Sequence, residues 1–327
     1  MNKEMMLNRI ATVLREKASF LLVTHKDPDA DGIGSMLALG KALINAKKAV
    51  VLLTEKPVHP PFSLLKGSDG IVHKIDTKKN FDAVVVLDCG DKDRIGGPNG
   101  CLEGRGPLIN IDHHEVHDFF GDLNLVDPKS SSTGELVYLV IKKAGLPIDS
   151  DVAENIFAAI QADTGSFRYD NTTSESFKIA AEMMEAGADP RQISSKMMDE
   201  NSLSRMRLLG MALGVAEFFH EGKIGMVTLT SEMFERAQAR REDSGKFVEY
   251  LRSVSGVELA VLICETGDSS YKISMRSNDN VNVAQLASMY GGGGHAKAAG
   301  FESHGSIETL KEDFLKKAGR LLGGISN

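Results

Sequence analysis

Four stretches of this chain set carboxylates and imidazoles directly behind apolar runs, where a buried strand or helix would give way to a loop. The first, Leu21-Leu22-Val23-Thr24, runs into His25-Lys26-Asp27-Pro28-Asp29-Ala30-Asp31. Val84-Val85-Val86-Leu87 then leads to Asp88, Leu108-Ile109-Asn110-Ile111 to Asp112-His113-His114, and the apolar stretch Ile156–Ala162 to Asp163. Three aspartates within five residues (27, 29 and 31) repel one another unless cations neutralise them. An acid at the tip of a stretch as apolar as 156–162 is costly if buried and unpaired. Metal coordination removes both costs. A single aspartate could equally be a plain helix cap, and Asp88 alone reads either way. Together the segments offer His and Asp but no Cys, a donor set suited to Mn²⁺, with Mg²⁺, Co²⁺ or Zn²⁺ as substitutes. They exceed what one ion needs, and two divalent ions sharing a carboxylate make a site for in-line attack at phosphorus.

A second concentration of chemistry lies near the C-terminus. Gly291-Gly292-Gly293-Gly294 precedes His295, and Met275-Arg276-Ser277 lies upstream. Successive glycine N–H groups can close around an anion, Arg276 can grip a phosphate bidentately, and His295 adds a donor. The plain alternative is a flexible turn. Arg94 and Arg168 are candidates for substrate contact or ordinary surface residues. His73, His117, His220 and His304 have no acidic or strand-end context and read as surface residues.

The elements that must position these groups are those of an α/β fold. Phe20–Thr24, Ala49–Leu53, Ala83–Leu87 and Leu108–Ile111 are near-continuous apolar runs, expected of parallel strands covered on both faces. Gly32–Ala46 carries apolar residues at helical spacing, and helices dominate from Thr133 to Ala186, with Ser130–Thr133 as a cap. Alternation of strand and helix predicts a doubly wound, mostly parallel sheet. The spacing gives one helix over Ser202–Phe219, then a smaller α/β unit. Its strands are Lys223–Thr230, Val257–Glu265 and Tyr271–Arg276, and its helices Phe247–Val254, Val283–Tyr290 and Ile307–Leu322. The expected division is a first domain over 1–195, a helical linker over 196–220 and a second domain over 221–327.

At 327 residues the chain is long enough for two cores. A net charge of −7 argues against a broad surface for long nucleic acid but leaves a small phosphorylated substrate open, because two divalent ions reverse the field in a cleft. No apolar run approaches the ~20 residues of a membrane span, and the charged stretch Met1–Lys17 lacks a signal-peptide core, so the cytoplasm is expected. Cys89, Cys101 and Cys264 form no CxxC pair, which disfavours a disulfide framework or a thiolate zinc site.

In order and type, His25-x-x-x-Asp29-x-Asp31, Asp88, Asp112-His113-His114 and Asp163 resemble the four motifs of the DHH phosphoesterase superfamily. Ser274-Met275-Arg276-Ser277 and Gly291–Gly300 resemble the associated DHHA1 domain. The segment Asp163–Tyr169 looks most like the nanoRNase (oligoribonuclease) and pAp phosphatase branch. The resemblance implies His25 and Asp29 on one metal, with Asp31, His113 and Asp163 on the other and Asp88 bridging and catalytic. It implies that His114 faces the substrate phosphate and Asp112 orients its neighbours, while Asp27 stays off the metals. Arg276, Ser277, Gly292, Gly293, Gly294 and His295 would bind substrate. The implied substrates are short RNA or DNA oligonucleotides or a nucleoside bisphosphate, hydrolysed without any membrane partner by a chain that could form a homodimer. A c-di-AMP or pApA phosphodiesterase and a non-catalytic nucleotide sensor are the competing readings.

Overall fold

The computed structural model describes residues 2–76, 80–97, 102, 106–199, 202–278 and 281–323. It divides into compact units over Met1–Glu200 and Asn201–Asn327.

The first unit opens with α1 (Lys3–Glu16), β1 (Ser19–Val23), α2 (Ala30–Asn45), β2 (Ala49–Leu53), β3 (Ile71–Val72) and β4 (Ala83–Leu87). It continues through β5 (Leu108–Asp112), β6 (Leu123–Val126), α3 (Thr133–Ala144), α4 (Ser150–Asp163), α5 (Ser174–Glu185) and α6 (Pro190–Ser194). Its six strands are parallel in the order β3-β2-β1-β4-β5-β6. The chain therefore leaves β1 toward one edge and β4 toward the other, and ligands of open α/β sheets sit at the carboxyl ends beside such a switch.

Alternation along the strands splits the core. Phe20, Leu22, Val85, Leu87, Ile109 and Ile111 meet the apolar faces of α1 to α4. Leu21, Val23, Val84 and Val86 face the other way, against Phe81, Cys89, Ile95 and Phe120. Thirteen of the sixteen residues of α2 are buried, because α3, α4 and the sheet all pack on it. Close helix approach needs glycine at one point in particular: a Cβ on Gly134 of α3 would lie 2.5 Å from Cβ of Ala159 on α4. Gly134→Ala is expected to cost about 1–3 kcal/mol by overpacking. A urea midpoint that does not move would show that the two helices can separate freely.

The second unit contains α7 (Leu203–Gly214), β7 (Glu217–Phe219), β8 (Ile224–Leu229), α8 (Ser231–Ala237), α9 (Phe247–Arg252) and β9 (Leu259–Gly267). After these come β10 (Ser270–Ser277), α10 (Val283–Ser288), β11 (Gly293–His295), β12 (Ala298–His304) and α11 (Ile307–Gly323). Its sheet runs β11-β12-β10-β9-β8-β7, with only β8 and β9 parallel. The helix expected over Ser202–Phe219 stops at Gly214, and Glu217–Phe219 turns into an edge strand. Gly214 and the β-favouring Val215, Phe218 and Phe219 account for the early end. Leu208, Leu209 and Ala212 of α7 pack into this unit's own core with Val227, Phe247 and Leu262.

Candidate metal centre

The first unit gathers the acidic segments at the carboxyl edge of its sheet: His25 follows β1, Asp88 follows β4, and Asp112 ends β5. Asp29 is the N-cap of α2, and its Oδ1 accepts from the N–H groups of Asp31 (2.9 Å) and Gly32 (3.2 Å). The plain capping reading of Asp29 is thus correct, yet capping engages only Oδ1.

Asp31 is almost fully buried. The first amides of α3 aim at it from across the fold: Thr133 N–H donates to Oδ2 (2.7 Å) and Gly134 N–H to Oδ1 (2.9 Å). The hydroxyls of Ser35 and Thr133 complete the lining, donating to Asp31 Oδ1 (3.2 Å) and Asp88 Oδ1 (3.0 Å). Asp88 itself has φ +57°, a left-handed conformation that few non-glycine residues adopt. Strain of this kind gathers at functional positions, where the surroundings over-determine the backbone.

Two groups of potential ligands share this pocket, and a third, Asp88, His113 and His114, overlaps them. His25, Asp29 and Asp88 bring one atom each within 4.8 Å of one another, and Asp31, His113 and Asp163 do the same. Asp88 belongs to both neighbourhoods, with Oδ2 3.7 Å from His25 Nε2 and Oδ1 3.8 Å from His113 Nε2. His113 Nδ1 faces the Ser130 carbonyl at 3.4 Å, which turns Nε2 inward to lie 3.6 Å from Asp31 and 3.5 Å from Asp163. These gaps are too wide for hydrogen bonds. They are slightly above the ~3.0–3.4 Å that separates two ligands each about 2.1 Å from one ion.

The charges show that this donor set fits divalent ions. Burial, then the charges of Asp88, Asp163 and Asp29, pushes Asp31 well above the usual carboxylate range. Burial raises Asp163 to about 6, and its place at the C-terminal end of α4 is also unfavourable for an anion. Asp88 moves the other way: burial would raise it, but His25, His114 and His113 hold it down. Among the described residues, the ion pairs of Asp31, Asp88 and Asp163 are all with histidines. Four carboxylates so placed are left with excess negative charge that cations would balance.

The chain's likenesses agree with this geometry. The DHH family, N-terminal domain, matches residues 19–160, and the DHHA1 domain matches residues 225–324. The bifunctional oligoribonuclease and PAP phosphatase NrnA of Thermus thermophilus is 31% identical over 322 residues, covering 95% of each chain. The chain belongs to the DHH family. A protein of the same description from Bacillus subtilis is 28% identical over 86% of this DHH chain and 88% of its own. An exopolyphosphatase-related protein of Bacteroides fragilis superimposes with a TM-score of 0.90 at 27% identity, over 98% of both chains.

His114 lies close to Asp88 and His113, with which it forms one of the potential ligand groups. Its Nδ1 lies 2.7 Å from Asp112 Oδ1, and this bond, working against burial, raises the imidazole to about 9. Asp27 is exposed and lies within 3.6 Å of the Lys56 ammonium, away from the ligand groups. Arg94 and Arg168 are both exposed, and Arg168 donates from Nε to the Gly165 carbonyl at 2.8 Å. Burial pushes the Cys89 thiol up to about 12, and it donates to the Asp91 carbonyl at 3.2 Å, while Cys101 lies outside the described residues.

In the DHHA1 unit the glycine run differs from the loop foreseen. Gly293–His295 is an edge strand paired antiparallel with Ala298–Gly300, so the backbone runs extended with one side in a ladder rather than curling around an anion. Two of the glycines serve close packing: a Cβ on Gly292 would meet the Gly300 carbonyl at 2.2 Å and one on Gly294 the Ala298 carbonyl at 2.5 Å, whereas Gly291 and Gly293 have open space. Gly293, Gly294, Lys272, Ser274 and Arg276 line one groove of about 470 Å³. Arg276 lies on its wall and donates from Nε to Glu249 Oε1 at 3.0 Å. Ser277 does not join it, because side chains alternate along β10 and its hydroxyl is buried beside the Ala296 carbonyl (3.4 Å). The side chain of His295 lies outside what the structure describes.

Three groups around the metal pocket escape sequence reasoning. Thr133 and Gly134 act chiefly through main-chain N–H groups, which carry no residue signature. Asn171 donates to the Ser131 carbonyl (2.9 Å) and to Asp163 at both its carbonyl (3.1 Å) and Oδ2 (3.2 Å), fixing the carboxylate. Asn171→Ala is expected to weaken divalent-ion affinity about 10- to 100-fold, as loss of an outer-shell partner does. Titration calorimetry with Mn²⁺ checks this, and unchanged affinity would remove Asn171 from the site. His117 is no surface residue: its side chain is 1% exposed, because Asn110 and two phenylalanines enclose it. The signal was Asn110, an amide inside an apolar strand that needs a partner.

Proposed function

We propose that the chain is a two-metal phosphoesterase that hydrolyses short oligonucleotides (di- to pentanucleotides) to mononucleotides and 3′-phosphoadenosine 5′-phosphate to AMP. The observation that carries this reading is Asp88, whose two carboxylate oxygens face two different groups of ligands. His25 and Asp29 would hold one ion, Asp31, His113 and Asp163 the other, and Asp88 both. The donor set of carboxylates and imidazoles favours Mn²⁺. Divalent ions supply Lewis acidity and a water acidic enough to act as nucleophile near neutral pH. Asp112 holds His114 with Nδ1 protonated, so Nε2 is the ring atom offered to a substrate phosphate, as donor to a non-bridging oxygen or carrier of a proton. The substrate class follows the relatives, named bifunctional oligoribonucleases and PAP phosphatases, and Arg276 with Gly293 and Gly294, which line one groove of the DHHA1 unit, would contact the substrate.

The test is to incubate the purified protein and Mn²⁺ with a 5′-labelled RNA dimer, with 3′-phosphoadenosine 5′-phosphate and with a long single strand. Turnover of the first two and sparing of the long strand is expected. With bound metal demonstrated, intact dimer and bisphosphate would sink the reading.

A further inference from the structure

His117 lies outside the ligand groups, yet its hydrogen bonds determine its chemical state. Phe119 N–H donates to Nδ1 at 2.7 Å, so Nδ1 carries a lone pair. The Asn110 amide donates from Nδ2 to the Cys89 carbonyl at 2.9 Å, so Asn110 Oδ1 faces His117 Nε2, also at 2.9 Å, as an acceptor. Nε2 therefore carries the proton and the ring is neutral. The chain of bonds ties the loop after His114 to β5 and to the residue that follows Asp88. His117 Nε2 also stands 3.6 Å from Asp112 Oδ2, a buried oxygen that has no hydrogen-bond partner among the described residues. That oxygen is held off the ring, while Asp112 Oδ1 bonds His114. Phe119 and Phe120 flank the imidazole with ring centroids at 4.7 and 5.7 Å, so water does not replace these contacts.

We propose that His117 is a positioning residue: held by Asn110 and by the Phe119 N–H, its ring stands against Asp112 Oδ2 and keeps in place the carboxylate that orients His114 toward substrate. The inference rests on the phosphoesterase reading for its kinetic test but not for its spectroscopic one. His117→Phe keeps the ring volume and the aromatic stacking but removes the N–H, whereas His117→Gln can place an amide N–H near the position of Nε2. His117→Phe is expected to lower kcat about 10- to 100-fold with KM little changed, the size seen when a partner behind a reactive group is lost. His117→Gln restores kcat to within about threefold of wild type. In an Asp112→Asn background, His117→Phe adds no further loss, since both act on one path.

Independently of turnover, the His114 Nδ1 proton resonance of the Mg²⁺-loaded protein is expected to shift or broaden in His117→Phe and to return in His117→Gln. A purely structural role would lower the melting temperature and leave kcat and that resonance unchanged, which overturns the proposal. Equal losses in the Phe and Gln variants, or fully additive losses with Asp112→Asn, overturn it too. Should His117→Phe not fold, Asn110→Ala removes the same bond from the other side and takes its place in the cycle. If wild type turns over neither substrate, the phosphoesterase reading fails, while the resonance still decides the role of His117.

Discussion

Asp88→Asn is expected to abolish turnover, by at least about 10³-fold in kcat, while the protein folds as before. The substitution keeps the shape of the side chain, and Asn tolerates the left-handed backbone of residue 88 (φ +57°) better than most residues. It removes the charge that faces His25 on one side and His113 on the other. One neutral amide cannot satisfy two cations, so the bound metal falls below two ions per chain. Loss of a charge that stabilises a phosphoryl transition state accounts for a rate effect of this size. Single-turnover kinetics beside metal analysis and a thermal melt check it. A variant keeping more than a tenth of wild-type kcat with both ions bound would show that Asp88 does not bridge them.

Removing metal is expected to destabilise the protein strongly at pH 7.5 and weakly near pH 5.5. Asp31 and Asp163 have folded-state values above those of the unfolded chain, Asp163 at about 6. The metal-free folded state therefore binds more protons than the unfolded chain between the usual carboxylate range and about pH 6. Its stability falls as pH rises through that window; the Asp163 share of the loss is complete above it, and Asp31, raised well above the carboxylate range, acts in the same direction. Asp88, held low, acts oppositely and loses its contribution in acid, whereas the contribution of His114, raised to about 9, is full below the ordinary imidazole range and is lost as pH rises toward 9, in the same direction as the carboxylates. Neither reverses the trend between pH 5.5 and 7.5. Divalent ions neutralise the repulsion where it is greatest, and a site at 100 times its Kd adds about 2.7 kcal/mol. For a unit of this size that corresponds to about 5–10 °C in Tm. Melting with Mn²⁺ and with EDTA at both pH values measures the difference, and an equal gap at the two pH values would contradict this electrostatic account.

The legible part of the molecule is its apolar frame. β1, β2, β4 and β5 stand out because strands buried on both faces need continuous Val, Leu and Ile, and the acids after them mark the sheet edge. β6 is missed because its burial alternates and it is only four residues long. β12 is missed because Ala298-Ala299-Gly300 has little strand propensity, and its place is fixed by β10 beside it. At the site, the carboxylates and His113 are visible as types, whereas Thr133 reaches Asp31 across 102 positions through a main-chain N–H. His117 misleads because its partner Asn110 lies seven positions earlier, hidden in a strand that otherwise reads as core.

The main-chain clamp on Asp31 also limits how this pocket can change. Short of proline, no substitution deletes the N–H groups of Thr133 and Gly134, so the clamp on the carboxylate moves with α3. The position of α3 is set where Gly134 rests on Ala159, and Asp31 Oδ1 lies 3.5 Å from where a Gly134 Cβ would be. Bulk at that helix crossing would therefore alter the span between Asp31 and its partners. Mg²⁺ demands oxygens at ~2.0–2.1 Å in near-ideal geometry, and larger ions are more forgiving. A methyl group between two helices would thus bias which cation the centre prefers, without replacing any of the proposed ligands.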